Sequence, residues 1–254
     1  MEDKAMLNSP TIEKLRSLKL TGMLKALEEQ MGMSGMCELD FFERLALMVD
    51  RETLERENRR LKTRLKSAKL RQSASIEDID YRRSRGIDRG LIASLASCGW
   101  IGTKNVIITG ATGVGKTYVA CALAQKAMRE GFGAIYKRTP RLLRELALAR
   151  GDGSYPKILN SLARTDLLVL DDWGLTPFTG DQDRDLLEIV EDRYAMRSTI
   201  ITSQVPVDSW HPLMANPTVA DAILDRLVHN AYRINLTGES MRKVQTKIGE
   251  SDDV

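Results

Sequence analysis

Residues Gly110–Thr117 read GATGVGKT and fit the phosphate-binding pattern G-x-x-x-x-G-K-[ST] at every fixed position. The apolar run Asn105–Thr109 precedes the motif, and the helix-forming run YVACALAQKAMRE follows it. A strand that enters a glycine-rich turn and leaves as a helix is the setting in which this motif acts. Its glycines let the backbone wrap phosphate oxygens, and the amides of Gly110, Ala111, Thr112, Gly113, Val114 and Gly115 point their positive ends at the anion. Lys116 is the candidate contact to the β- and γ-phosphates, and the Thr117 hydroxyl is the candidate Mg²⁺ ligand.

Outward from the motif, strand and helix signals alternate from about Asn105 to Leu236. The strand candidates are Asn105–Thr109, Ala134–Lys137, Leu167–Leu170, Thr199–Thr202 and Tyr232–Leu236. Helix candidates lie near 116–130, 140–149, 156–164, 182–195 and 219–228. This alternation predicts an α/β fold, a five-stranded parallel sheet with helices on both faces. The stretch LLVLDDWG (Leu167–Gly174) ends a buried strand in Asp171 and Asp172. Asp171 is the candidate Mg²⁺ carboxylate, and Asp172 the candidate general base or water-positioning group. A complete strand–helix unit separates the two motifs in sequence, as in the additional-strand ATPases and unlike simple nucleotide kinases. The strand STIITSQ ends in Thr202, Ser203 and Gln204, any of which is either a bridge between attacking water and γ-phosphate or a polar strand end. Arg226 closes an amphipathic helix, where an arginine either acts in trans on a neighbour's ATP or pairs with Asp225 or Asp221. Arg242, in GESMRK, is a further candidate phosphate contact.

Upstream the texture changes. From about Ser9 to Arg71 the chain reads as helical, with Leu15, Leu18, Leu24 and Leu27 on one face of a first segment. A break, MGMSGM (Met31–Met36), reads as a turn, and Asp40 leads into a long second helix carrying Phe41, Phe42, Leu45, Met48, Leu54, Leu61 and Leu65. Its end, RRLKTRLKSAKLR (Arg59–Arg71), holds no acid. Arg59, Arg60, Lys62, Arg64, Lys66 and Lys69 there, and Arg141 and Arg144 in a second cluster with Lys137 and Arg138, are candidate DNA contacts. Such basic faces neutralise phosphates without reading sequence. No aromatic interrupts the Arg59–Arg71 run, so backbone binding to a duplex is favoured over base stacking. Ser73–Gly102, which carries Arg82, Arg83, Arg85 and Arg89, reads as a connector.

Composition excludes several classes. The chain has 254 residues, 43% hydrophobic and 29% charged, with net charge +3, an ordinary soluble balance. Cys37, Cys98 and Cys121 are widely spaced and odd in number, so neither a disulfide framework nor a zinc site is indicated. His211 and His229 lack a ligand cluster and read as structural or surface residues. No apolar leader or membrane-length run is visible, and the expectation is a cytoplasmic bacterial protein with no membrane partner.

With these residues in hand, the chain closely resembles the IstB family of transposition helper ATPases, encoded beside a transposase in bacterial insertion sequences. The resemblance rests on LRSLKLTGM, RENRRLKTRLKSAKL and IEDIDY in the N-terminal region. In the ATPase region it rests on GATGVGKT, LLVLDDWG, EDRYAMRSTIITSQVPVDSW, AILDRLVHNA and GESMRK. It implies an AAA+ P-loop core near the DnaA initiator and the DnaC helicase loader. The expected organisation is a helical DNA-binding and self-association domain (1–72), a connector (73–102) and an ATPase domain (103–254) whose C-terminal lid is absent or vestigial. It further implies a sensor role for Gln204, where relatives usually carry Asn, an arginine-finger role for Arg226 and a second-sensor role for Arg242. The helix bearing Arg141 and Arg144 lies where initiator and loader relatives meet nucleic acid. The implied activity is ATP hydrolysis with Mg²⁺, coupled to homo-oligomeric assembly on duplex DNA, with ATP between subunits. The assembly deforms the DNA and recruits and stimulates a cognate transposase. A replicative helicase loader, and more remotely a small-molecule phosphotransferase, are the competing functions.

Overall fold

In the computed structural model, residues 2–33, 39–81 and 85–241 are described, with side chains from Pro10 onward. Arg82, Arg83, Arg242, Cys37 and the core of the MGMSGM break lie outside the described residues, as does the tail on which the expected absence of a lid turns. The chain divides into two compact units between Thr63 and Arg64.

The first unit is helical: α1 (Glu2–Ser17), α2 (Thr21–Gly32) and the greater part of α3 (Phe41–Ala68). The leucine period suggested a single segment from Leu15 to Leu27, but the structure breaks it. Lys19 takes φ +59, and the Leu20 amide turns back to the Leu15 carbonyl at 2.9 Å. That is a Schellman-type closure built on lysine rather than glycine, so composition gave no warning of it. α2 then starts without a local side-chain cap. Its orphan amides are served from α3: Glu52 accepts from Gly22 at 2.7 Å and from Met23 at 3.2 Å. Arg56 donates to the same carboxylate at 2.7 Å. A carboxylate at a helix N-terminus is favoured by the helix dipole as well as by the bonds. Gly22 makes the approach feasible, because a Cβ there would lie 2.5 Å from the Glu52 Cα. α3 has a reciprocal capping box, Asp40 accepting from the Glu43 amide at 2.8 Å and Glu43 from the Asp40 amide at 2.9 Å.

The second unit is built on β1 (Asn105–Gly110), β2 (Ala134–Arg138), β3 (Leu167–Trp173), β4 (Ser198–Ser203) and β5 (Ala231–Leu236). Around it lie α4 (Arg89–Ala96), α5 (Lys116–Arg129), α6 (Thr139–Asp152), α7 (Tyr155–Arg164), α8 (Gly180–Arg193) and α9 (Pro217–Val228). All strand pairs are parallel, in the order β2-β3-β4-β1-β5. β4 therefore sits between the phosphate-loop strand and the Asp171 strand, the additional-strand arrangement. β4 is buried throughout, and so is β3 apart from Asp172, as strands covered on both faces must be. Ile107, Leu168, Leu170 and Ile201 point to one face and pack with Leu142, Leu146, Leu162, Leu186 and Ile223 from α6–α9. The alternate residues Val106, Ile108 and Val169 are equally buried, as the two-residue period of a strand requires.

The connector is more structured than its composition suggested. Asp88 caps α4 by accepting from Gly90 at 2.7 Å and Leu91 at 3.3 Å. Ala74, Ile79, Ile92, Leu95 and Trp100 are all buried. Eight residues are too few for a helical period to declare itself, and the Asp88 cap was the available signal. No helix among the described residues is long and apolar enough to cross a membrane.

Glu52 ties the stability of the first unit to pH. Burial pushes its pKa up, but the bonds from Arg56, Gly22 and Met23 outweigh this and hold it below the usual carboxylate value. A depressed folded pKa contributes stability that is present above the unfolded pKa and is lost as pH falls through the folded one. Glu52→Gln should cost about 1–3 kcal/mol. In far-UV circular dichroism melts of the full chain, the gap between E52Q and the parent should be open at pH 7 and narrow below pH 4.

Candidate nucleotide site

The motif loop runs from the end of β1 to the start of α5. Gly110 (φ +142), Gly113 (φ +88) and Gly115 (φ +104) all lie in the left-handed region that favours glycine. Two of them are also closely approached. A Cβ on Gly110 would lie 2.1 Å from the Leu236 carbonyl oxygen, and one on Gly113 would lie 2.1 Å from the Ser240 hydroxyl. Gly115 is the N-cap of α5 and supplies no side-chain cap, so the first amides of that helix face the loop with no side chain spent on them. Lys116 Nζ donates to the Gly110 and Ala111 carbonyls, each at 2.7 Å, which curls the loop around its own lysine.

Across from the loop, the ladder between β3 and β4 is interrupted. Leu170 pairs with Ile201 and Trp173 with Ser203, so Asp171 and Asp172 together face the single residue Thr202. A two-against-one bulge re-aims side chains. Asp172 absorbs the irregularity at φ +61, a conformation that Asp tolerates better than most residues, and its amide donates to Thr202 Oγ1 at 3.2 Å.

Asp171 is wholly buried. Thr117 Oγ1 donates to its Oδ1 at 2.9 Å, with Oδ2 at 3.1 Å. Thr202 donates to Oδ1 and Tyr136 to Oδ2, and Arg71 Nη1 lies 3.3 Å from Oδ2. Burial pushes the Tyr136 phenol up, and its hydrogen bond to Asp171 and the charge of that carboxylate push it further, so it remains a donor. Asp172 is held by Arg138 Nε at 2.7 Å and flanked by Arg71 Nη1 at 3.7 Å. Gln204, just past β4, accepts from Thr112 Oγ1 at 2.6 Å and so reaches the loop despite its extra methylene.

Several of these groups line one cavity of about 530 Å³, within the range of small-molecule sites. Arg71, Arg85, Thr112, Lys116, Thr117, Arg138, Asp172 and Gln204 lie on its wall. The donor set suits a magnesium nucleotide: loop amides and cations for the phosphates, and the Thr117 hydroxyl beside the Asp171 carboxylate for a hard cation. Met241, whose amide donates to Gly113 at 2.9 Å, also reaches this wall.

Tyr136, Arg71, Arg138, Arg85 and Thr202 complete the site beyond the motif residues. In the sequence Arg71, Arg138 and Arg85 are marked only as members of basic stretches. Tyr136 carried no signal, because only the strand order brings β2 beside β3. Arg85 is buried, its guanidinium donating to the Asp80 carbonyl and lying 3.5 Å from that of Val114.

Arg226 stands apart. It lines a different cavity of about 260 Å³ with Lys104, Arg193, Tyr194 and Asn230. Its intrachain partner is Glu191, at 3.0 Å, rather than Asp225 or Asp221. Those two acids lie beside His229 (3.6 Å) and His211 (3.2 Å). The Arg226 carbonyl accepts from Asn105 Nδ2 at 3.2 Å, at the start of β1, whereas the loop begins at the far end of that strand. Five strand steps separate the two by about 16 Å.

Among the candidate DNA contacts, Arg60, Lys62, Lys66, Lys69, Arg141 and Arg144 are exposed. Arg59 is exposed but donates to Thr21 Oγ1 at 2.7 Å, and Arg64 is half-buried, 3.5 Å from the Met128 carbonyl. In the second cluster Lys137 is spent on Glu145 at 2.6 Å and Arg138 on Asp172.

Residues 13–248 match the protein family described as IstB-like ATP binding protein. A protein of Sinorhizobium fredii named as an insertion sequence ATP-binding protein is 51% identical over 243 residues, covering 95% of this chain and 99% of its own length. The corresponding protein of insertion sequence IS1162 from Pseudomonas fluorescens is 49% identical over 203 residues, 79% of this chain and 88% of that one. A Mycobacterium tuberculosis relative, named as an ATP-binding protein in an insertion sequence, is 33% identical over 90% of this chain and 92% of its own. Among solved structures, DnaI superposes with TM-score 0.57 at 24% identity, over 66% of this chain and 92% of that one. The DnaC helicase loader gives 0.54 at 20%, over 64% and 96%. These likenesses identify the sheet and its helices as an AAA+ P-loop fold.

Gly110→Ala would force a Cβ against the Leu236 carbonyl at a φ that disfavours side chains. Relief of about 1–3 kcal/mol of strain moves the loop off its anion-binding geometry, so nucleotide affinity should fall by roughly 5- to 150-fold. Titration with a fluorescent ATP analogue measures it.

Proposed function

The chain belongs to the IstB-like ATP-binding family, and from that premise we propose that it is an ATP-dependent DNA-binding helper of transposition. In this reading ATP-bound copies oligomerise on duplex target DNA, deform it, and recruit and stimulate the transposase encoded beside them. The observation that carries the proposal is the division of labour between two ends of one sheet. A candidate phosphate and metal cluster stands at the C-terminal ends of the strands, and a candidate arginine finger stands at the opposite end.

Lys116 and the loop amides bind the phosphates, with Arg242 a further contact outside the described residues. Thr117 and Asp171 hold Mg²⁺, which when bound offsets phosphate charge. Asp172 positions or deprotonates the attacking water, and Gln204 steadies the loop side of that water. Arg226 lies too far from its own loop to serve it, so its natural target is the ATP of a neighbour. The Glu191 pair is a partly exposed one and weak enough to exchange. Exposed Phe41, Phe42, Leu47 and Leu54 of α3 offer apolar surface suited to a second copy. Arg60, Lys62, Lys66, Lys69, Arg141 and Arg144, all exposed, supply the sequence-independent duplex contacts, with Arg59 and Arg64 as secondary ones.

Arg226→Ala should bind ATP with parental affinity but lose turnover on the order of 10³-fold. Light scattering with ATP and a duplex of several tens of base pairs should show the parent assembling and R226A remaining small. Parental assembly and hydrolysis in R226A would remove the trans-acting arginine. A parent that prefers single strands to duplex would point to a helicase loader instead.

For the basic helix, the measurement is affinity for duplex DNA against salt concentration. Replacing Arg60 and Lys62 together by alanine should flatten the slope of log K against log salt by about 2, equally for unrelated sequences. An unchanged slope places the duplex elsewhere.

A further inference from the structure

We infer that Arg71 is a specificity-determining residue of this site, the group that distinguishes a nucleoside triphosphate from a diphosphate. The inference rests on the nucleotide-site reading above and assigns a role to a residue outside both motifs.

Carboxylate capacity decides which donor must yield. An ionised carboxylate offers about four lone-pair positions. Asp171 already receives Thr117, Thr202, Tyr136 and Arg71. A divalent cation that takes this carboxylate must displace a donor. Thr202 is wholly buried, and Tyr136 nearly so, fixed in β2. Thr117 is itself a ligand for the cation. Arg71 makes the longest of the four contacts, at 3.3 Å, and its side chain is 40% exposed. It is also the one donor of the four with a full positive charge, so the arriving cation repels it.

Arg71 lies three residues past the end of α3, and its guanidinium has room to turn within the cavity it lines. Asp172 already pairs with Arg71 at 3.7 Å while Arg138 holds it at 2.7 Å, so it keeps the guanidinium near with either nucleotide and does not discriminate between them. The remaining anion is the phosphate chain. The Thr117–Asp171 side of the loop is its terminal end, where the γ-phosphate of a triphosphate provides oxygens that a diphosphate lacks. With a triphosphate, Arg71 exchanges one anionic partner for another. With a diphosphate it leaves Asp171 for no new partner and keeps only its longer pair with Asp172, or it stays and opposes the cation. Either course penalises the diphosphate.

The test is equilibrium binding of fluorescent ADP and of a non-hydrolysable fluorescent ATP analogue, each with Mg²⁺, to the full-length parent, R71Q and R71K. A hydrogen bond to a charged group is worth about 1.5–3 kcal/mol, so R71Q should lower the ratio of triphosphate to diphosphate affinity by roughly tenfold or more. R71K, which keeps the charge but not the planar fork, should restore part of the ratio. R71Q should also bind ADP at lower Mg²⁺ concentration than the parent. Equal losses for both nucleotides, or an unchanged ratio, would overturn the assignment. If R71Q melts early, the comparison of R71K with the parent decides it by the same ratio. A parent that binds neither nucleotide would instead refute the nucleotide-site reading, taking this inference with it.

Discussion

The buried carboxylate of Asp171 is the constraint around which this site is organised. A charge fully removed from water is tolerated only when its oxygens are satisfied, and an unmet buried charge costs several kcal/mol. Here satisfaction comes from four separate parts of the second unit: the loop helix through Thr117, the edge strand through Tyr136, the inserted strand through Thr202 and the segment just after α3 through Arg71. Each donor is correct only if β2, β3 and β4 lie in the observed order and register. The need to satisfy one anion therefore favours the arrangement that makes a metal and phosphate site. Stability and function share this point, and changes there cannot be read as affecting one alone.

How much of this was legible in the sequence follows from how local each signal is. GATGVGKT and LLVLDDWG each carry their chemistry in consecutive residues, so loop, strand and acid pair could be read directly, as could the five strands with bounds within a few residues. Tyr136 could not, because it becomes a site residue only through lateral pairing of β2 with β3. Arg71 and Arg138 were visible as charges, but a run of basic residues does not announce which member will turn inward to an acid. The Lys19 turn and the Glu52 cap were hidden for related reasons. The first uses a residue that only rarely adopts the conformation, and the second comes from a helix thirty residues away.

The position of Arg226 is a consequence of sheet geometry. In a parallel sheet all strands end on one edge, and ligands bind there. An arginine at the end of the helix before β5 lies at the other edge, because that helix must return the chain to where β5 begins. A residue so placed cannot help its own nucleotide without crossing the length of the sheet. Both edges are electropositive, so in the proposed assembly the phosphates bound by one copy would be what joins them to the cationic cavity of the next. Such a head-to-tail contact would be heterologous, repeating until it closed into a ring or ran on as a helix.

Charge placement adds the last constraint. The second basic cluster is less free than its sequence suggests, since Lys137 is spent on Glu145 and Arg138 on Asp172. Arg141 and Arg144 begin one helical turn beyond Arg138 on α6. Any event that draws Asp172 toward a water or a phosphate therefore weakens the hold on a guanidinium at the head of a helix whose exposed face is basic. The same logic applies to Arg71 beyond the end of α3. Both arginines that clamp the acid pair are thus neighbours in sequence of the residues proposed to meet DNA. In the proposed function, these two ion pairs would be a physical route by which nucleotide state and the positive surface influence one another.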